Sequence, residues 1–190
     1  IFIQPHDILT HKLQFRYLIK LTTMIKLFGS SSDRKKNSQL CHQDLLEKKR
    51  VLTRYEDFPL GAFTLFVSHE WLGYKHPDPS GVQMNTLCTV LQRLRDGDIN
   101  CVSTDAFHVR LYQHSQTTYA SEWHAMLSNA YIWFDFFSQP QPTMSTCAAD
   151  RSQLETSLEN AILSMPSYVE RSDCLVVLTP GALHVDQLDG

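Results

Sequence analysis

Phe63-Thr64-Leu65-Phe66-Val67, running into Ser68-His69-Glu70-Trp71, is the stretch on which the fold turns. Its apolar part is short and rich in aromatic and β-branched residues, the composition of a buried strand. Tyr131-Ile132-Trp133-Phe134-Asp135-Phe136-Phe137 repeats the pattern and again ends in polar residues, Ser138-Gln139-Pro140-Gln141. A third run, Cys174-Leu175-Val176-Val177-Leu178-Thr179, is closed by Pro180-Gly181. Strands buried on both faces belong to parallel sheets covered by helices. In such sheets ligands lie outside the carboxyl ends of the strands. The polar runs fall there.

Helical punctuation fills the gaps between these strands. After a loop stiffened by Pro77 and Pro79, Ser80 and Gln83 have the spacing of a capping box. Met84, Leu87, Cys88, Leu91 and Leu94 then recur on one helical face, and Gly97 supplies a left-handed stop. Phe107-His108-Val109-Arg110-Leu111 alternates apolar and polar, which predicts a half-exposed edge strand. Tyr119, Trp123, Met126, Leu127 and Ala130 predict a short helix feeding the second strand. Pro140 to Ala149 read as a Pro/Ser/Thr loop. From about Arg151 a further helix turns Leu154, Leu158, Ala161 and Ile162 inward, until Pro166 kinks or ends it. The order strand, helix, strand, helix, strand predicts an α/β fold. Its sheet is mostly parallel, with right-handed crossovers and helices on both faces.

The N-terminal region has a different character. Residues 1–28 mix apolar residues with Lys12, Arg16, Lys20 and Lys26, and read as a peripheral basic amphipathic helix. Gly29 to Gln39 form a polar linker, and residues 43–54 a short helix with Leu45, Leu46 and Leu52 on its apolar side. Pro59-Leu60-Gly61 breaks the chain before the first strand. The expected organisation is a peripheral segment and linker over residues 1–40, then an α/β domain over 41–190. The chain starts at Ile1 and stops at Gly190 just past a strand, the expectation for a fragment whose sheet lacks an outer element at its C-terminal end.

At 190 residues, 43% hydrophobic and 19% charged, the chain is long enough for one domain with a core. A net charge of −3, with basic residues gathered only near the N-terminus, gives no electrostatic argument for nucleic acid. No uncharged run reaches the ~18 residues of a transmembrane segment. Five scattered cysteines without a CxxC pair argue against a zinc ribbon or disulfide framework and predict a reducing, cytoplasmic setting.

The candidate site comprises Ser68, His69, Glu70, Trp71, Asp135, Ser138 and Gln139. Ser68 offers a hydrogen bond, His69 and Glu70 polar or acid–base groups, and Trp71 a stacking face. The competing reading packs Trp71 under the next helix and spends Ser68 and His69 on loop backbone. Asp135 inside an apolar run is costly to bury without partners, and it serves either a ligand or neighbouring loop amides. Ser138 and Gln139 bind a ligand or tie down their loop. His69, His76 and Asp78 lack the short-spaced pair that marks a metal site, so no metal is expected. The absence of GxSxG, GxGxxG and Walker sequences removes serine hydrolases and glycine-loop phosphate sites.

FVSHEWLGYKHPDPSGVQ (66–83), AYIWFDFFSQPQ (130–141) and AILSMPSYVERSDCLVVLTP (161–180) together resemble a family of proteins of protist algae. That family is similar in layout to Toll/interleukin-1 receptor-like (TIR-like) domains and to fungal heterokaryon-incompatibility domains. In the latter a strand ending in Ser and an aromatic residue, here Ser68 and Trp71, precedes a W-x-D-x-x-C-x-x-Q signature. Trp133, Asp135 and Gln139 stand here as W-x-D-x-x-x-Q, without the cysteine and with altered spacing. The resemblance spans roughly residues 50–190.

It implies a flavodoxin-like sheet. It also implies one of two activities, self-associating signalling or cleavage of the glycosidic bond of NAD. Cleaving members use a glutamate on a helix after the strand matching Cys174–Thr179, often in W-C-x-x-E. No such motif occurs here, and Glu70 is not that residue by position. The expectation is therefore a TIR-like signalling or nucleotide-recognition domain, with NAD or a related nucleotide as ligand or substrate and self-association or other protein domains as partners. The alternatives are a glycohydrolase whose glutamate lies beyond residue 190, and a protein-interaction module without a small ligand.

Overall fold

The computed structural model describes residues 17–29, 45–46, 49–54, 57–139, 148–179 and 181–187. Its elements are β1 (Tyr17–Lys20), α1 (Leu21–Phe28), β2 (Leu52–Arg54), β3 (Thr64–His69), α2 (Val82–Asp96), β4 (Cys101–Ser103), α3 (Ala106–Tyr112), β5 (Thr117–Tyr119), α4 (Ala120–Ser128), β6 (Tyr131–Phe134), α5 (Asp135–Ser138), α6 (Ala148–Glu170) and β7 (Cys174–Leu178). The linker expected at 29–39, beyond Gly29, and the loop over 140–147 lie outside the described residues.

The three apolar runs lie side by side. The main sheet has five strands in the order β2-β1-β6-β3-β7. β3 runs parallel to β6, with Phe66 opposite Trp133, and parallel to β7, with Phe66 opposite Leu175. Only this half of the sheet is parallel. β1 joins β6 and β2 in antiparallel register, so the sheet is mixed. The residues read as a peripheral helix are, over Tyr17–Phe28, a strand followed by a helix, and both lie in the core. Leu18, Ile19, Leu21, Met24 and Phe28 are all buried. Leu52 likewise opens a strand, β2, where a helix was expected.

Alternation along each strand separates two layers of packing. Ile19, Leu65, Val67, Ile132 and Phe134 face α1, α2 and α4 in the larger core. Leu18, Phe66 and Trp133 face the other way and meet Tyr168 of α6. Phe66 and Trp133 stack at 4.3 Å with rings 9° apart. Each fully buried aliphatic or aromatic side chain here contributes about 1.5–3 kcal/mol. Pro166 does not end α6, which runs on to Glu170. The fully buried Tyr168, packed on Trp133, anchors that last turn to the sheet. Ile162, expected inside, is 51% exposed.

β7 is an edge strand, and its two faces differ. Cys174 and Val176 pack on the larger core, whereas Leu175 and Val177 remain exposed, so this strand is not covered on both sides. α2 ends as its sequence requires, with Gly97 at φ 84°. Its start differs from expectation: Gly81 is the N-cap, and no cap bond comes from Ser80. The carboxylate of Asp78 takes over, Oδ2 accepting from the Met84 amide at 2.8 Å. Residues 101–119 leave the main body as a small β4–β5 sheet with α3 between the strands. Phe107 to Leu111 is thus helical, not an edge strand. Asp105 settles the choice by accepting from the Phe107 and His108 amides as N-cap.

Candidate functional site

Parallel strands bring their carboxyl ends to one edge, and the register places the polar runs together there. Val67 pairs with Phe134, so His69 and Asp135 leave neighbouring strands side by side. Asp135 is not inside the strand as expected. β6 stops at Phe134, and Asp135 is the first residue of the short α5. The turn swings its carboxylate back over the end of β3. His69 Nε2 lies 2.7 Å from Asp135 Oδ1. The Trp71 indole N–H donates to Asp135 Oδ2 at 3.1 Å, and the Phe136 amide donates to Oδ1.

The carboxylate is thus surrounded by three donors. Burial pushes the Asp135 carboxyl up, but the hydrogen bond and charge of His69 outweigh it, helped by the Trp71 indole and the Phe136 amide. The group is held below the usual carboxylate range. The His69 side chain is only 1% exposed, against 23% for Asp135, and its ring stacks on Phe134 at 4.2 Å. Its other nitrogen, Nδ1, lies 3.1 Å from the Glu70 carbonyl oxygen. Both ring nitrogens therefore face oxygen atoms. The pair ties the end of β3 to the start of α5 and holds the rim.

The loop after β3 is equally well anchored. Gln83, fully buried on α2, donates from Nε2 to the Glu70 carbonyl at 2.6 Å. The Leu72 amide donates to the Pro77 carbonyl, and the Val185 amide donates to the Leu72 carbonyl, each at 2.8 Å. Asp186 Oδ2 accepts from the Tyr74 amide at 2.7 Å. A Cβ on Gly73 would lie 3.0 Å from the Pro79 side chain and 3.1 Å from that of Val185, so the turn is packed closely here.

Ser68, Glu70 and Trp71 are exposed along this lip, with Trp71 41% accessible. Ser138 and Gln139 are not part of the exposed rim. Ser138 is buried and its Oγ accepts from the Phe134 amide at 3.0 Å; Gln139 is buried as well. Behind the lip is a cavity of about 10 Å³, lined by His76, Asp78, Met84, Phe134 and Phe136 among others, room for about one water molecule. A nucleotide does not fit inside this cavity. Among the described residues no three His, Cys, Asp or Glu side chains are placed to hold a metal ion, and no helix is long and apolar enough to cross a membrane.

The sequence named His69, Trp71 and Asp135 but did not pair them. It missed Gln83 as the support of Glu70, having assigned that side chain to a capping box. The available signal was the polar Gln83 immediately before Met84 at the head of the apolar stripe. Comparison with protein-family models, curated proteins and solved structures finds no match for this chain.

Proposed function

We propose that the chain is a TIR-like signalling domain whose rim recognises a nucleotide, with NAD or a related nucleotide as the ligand class. The observation that carries this reading is the fixed, half-open indole of Trp71. Its N–H is held by Asp135 and its ring meets the edge of Phe136 at 6.1 Å, so the ring face is oriented before any ligand arrives. A purine stacked on such a face gains about 1–3 kcal/mol. Ser68 and Glu70, exposed at the same exit of β3, offer a hydroxyl and a carboxylate, groups that suit ribose hydroxyls.

Titration with NAD and with ADP-ribose, followed by the Trp71 indole N–H resonance, tests this reading. Saturable movement of that resonance supports it. A resonance unmoved by either compound at millimolar concentration removes it. Nicotinamide release is not expected from this chain, because neither Glu70 nor Asp135 lies on a helix after β7. Robust turnover abolished by Glu70→Ala would place the catalytic carboxylate on β3's exit instead.

A further inference from the structure

Away from the rim, a cavity of about 250 Å³ lies between α2, α4 and the edge strand β7. Its walls include Val90, Leu91 and Leu94 of α2, Trp123 of α4, and Cys174 and Val176 of β7. Among the described residues no charged side chain lines it. Little in the lining is left to bond. The Thr86 hydroxyl donates to the Val82 carbonyl at 2.8 Å. Burial, with the Asp173 charge beside it, pushes the Cys174 thiol up, so its sulfur is uncharged near neutral pH. Trp123 is the exception. Its indole nitrogen is shut off from solvent and has no hydrogen-bond partner among the described residues. A buried donor without an acceptor is costly, and the aliphatic walls offer none.

We propose that this cavity binds a small neutral compound with an apolar body and one ketone or ester carbonyl, whose oxygen accepts from the Trp123 indole N–H. The volume sets the size of the body. An apolar cavity of about 150 Å³ holds benzene, so this one takes about ten non-hydrogen atoms. The uncharged lining sets the sign, because an ion would give up its water here and meet no counter-charge. The single unpaired donor sets the polar group. A ligand without an acceptor leaves the indole as unsatisfied as before, and one with several polar atoms buries the rest unpaired. An apolar wall with one placed polar group is the usual make-up of a small-molecule pocket. None of Ser68, His69, Glu70, Trp71 and Asp135 lines the cavity, so binding here is independent of nucleotide recognition at the rim.

Titration of the full chain with acetophenone, followed by the Trp123 indole N–H and the Val90 and Val176 amide resonances, tests the site. The Trp71 indole resonance is the control at the rim. Two compounds close to acetophenone in size and shape serve for comparison: α-methylstyrene, which lacks the oxygen, and benzoate, which is charged. Acetophenone should bind with a Kd of about 0.1–1 mM and move the Trp123 indole resonance downfield while Trp71 stays still. α-Methylstyrene should bind about fivefold more weakly, and benzoate should not bind up to about 10 mM. Val90→Phe fills the cavity from a position that is 43% exposed, so it leaves the buried core untouched, and it should abolish binding. Trp123→Phe keeps a ring in the wall without the N–H, and acetophenone should then bind no better than α-methylstyrene. A Trp123 resonance unmoved by acetophenone overturns the proposal. So does acetophenone binding that survives Val90→Phe, which would place the ligand elsewhere. Equal affinities for acetophenone and α-methylstyrene in the wild type, or saturable binding of benzoate, would overturn the assigned ligand class.

Discussion

Replacing Asp135 tests whether the rim is held by the buried pair. Asp135→Ala leaves three donors without an acceptor: the His69 ring, the Trp71 indole and the Phe136 amide. Removing one partner of a buried ion pair costs about 3–5 kcal/mol. The Asp135 side chain is 23% exposed, so water reaches part of the vacated space, and the expected cost sits at the lower bound, about 3 kcal/mol. Asp135→Asn keeps one oxygen but turns an NH₂ toward a donor, with an expected cost of about 1–3 kcal/mol.

Folding lowers the carboxyl pKa. Its stabilising contribution is therefore complete above the unfolded value, about 4, and is lost as pH falls through the folded one. Urea denaturation across a pH series reads this directly. The stability gap between wild type and Asp135→Asn should be flat from about pH 5 to 7 and narrow toward about pH 3. A double-mutant cycle with His69→Gln should return a coupling of at least about 1 kcal/mol. An alanine cost below about 1 kcal/mol, or a gap that widens on acidification, refutes the pairing.

Asp173 Oδ2 accepts from both the amide and the hydroxyl of Thr64, each at 2.7 Å, where β7 joins β3. Asp173→Ala should cost about 2 kcal/mol in urea denaturation. Asp78→Ala removes the acceptor of the Met84 amide and should cost about 1 kcal/mol, with Asp78→Asn recovering most of it. At Gly97 a Cβ would meet nothing within 4 Å, yet φ is 84°. Gly97→Ala should lower the thermal midpoint through backbone strain alone, at about 1 kcal/mol.

The half of the sheet made by β3, β6 and β7 was legible because buried parallel strands are short apolar runs, and each run was long enough to stand out. β1 was not, because Tyr17–Lys20 is four residues long and sits among lysines and arginines spaced as on a helix. An antiparallel strand next to β6 needs only a few backbone bonds, and composition over so short a window carries little. The end of β6 was hidden for a different reason. Phe136 and Phe137 continue the apolar run past Asp135, so burial is uniform while the backbone changes from strand to helix. For α3, the alternation Phe107-His108-Val109-Arg110-Leu111 fits either period. The deciding signal was Asp105, an N-cap residue two positions before Phe107. In the site, residue types at the strand ends pointed to the right edge. The pairing of His69 with Asp135 spans 66 residues and follows only from the β3–β6 register.

The claim that the rim recognises a nucleotide rests most directly on Trp71, and isothermal titration of NAD and ADP-ribose into wild type and Trp71→Ala measures it. Trp71 is half-open and its loss removes a stacking face without opening the core. The expected result is saturable binding to wild type that weakens at least about tenfold in Trp71→Ala, matching the loss of about 1–3 kcal/mol of stacking. Equal affinities in the two proteins, or no heat with either compound in wild type, would contradict the account.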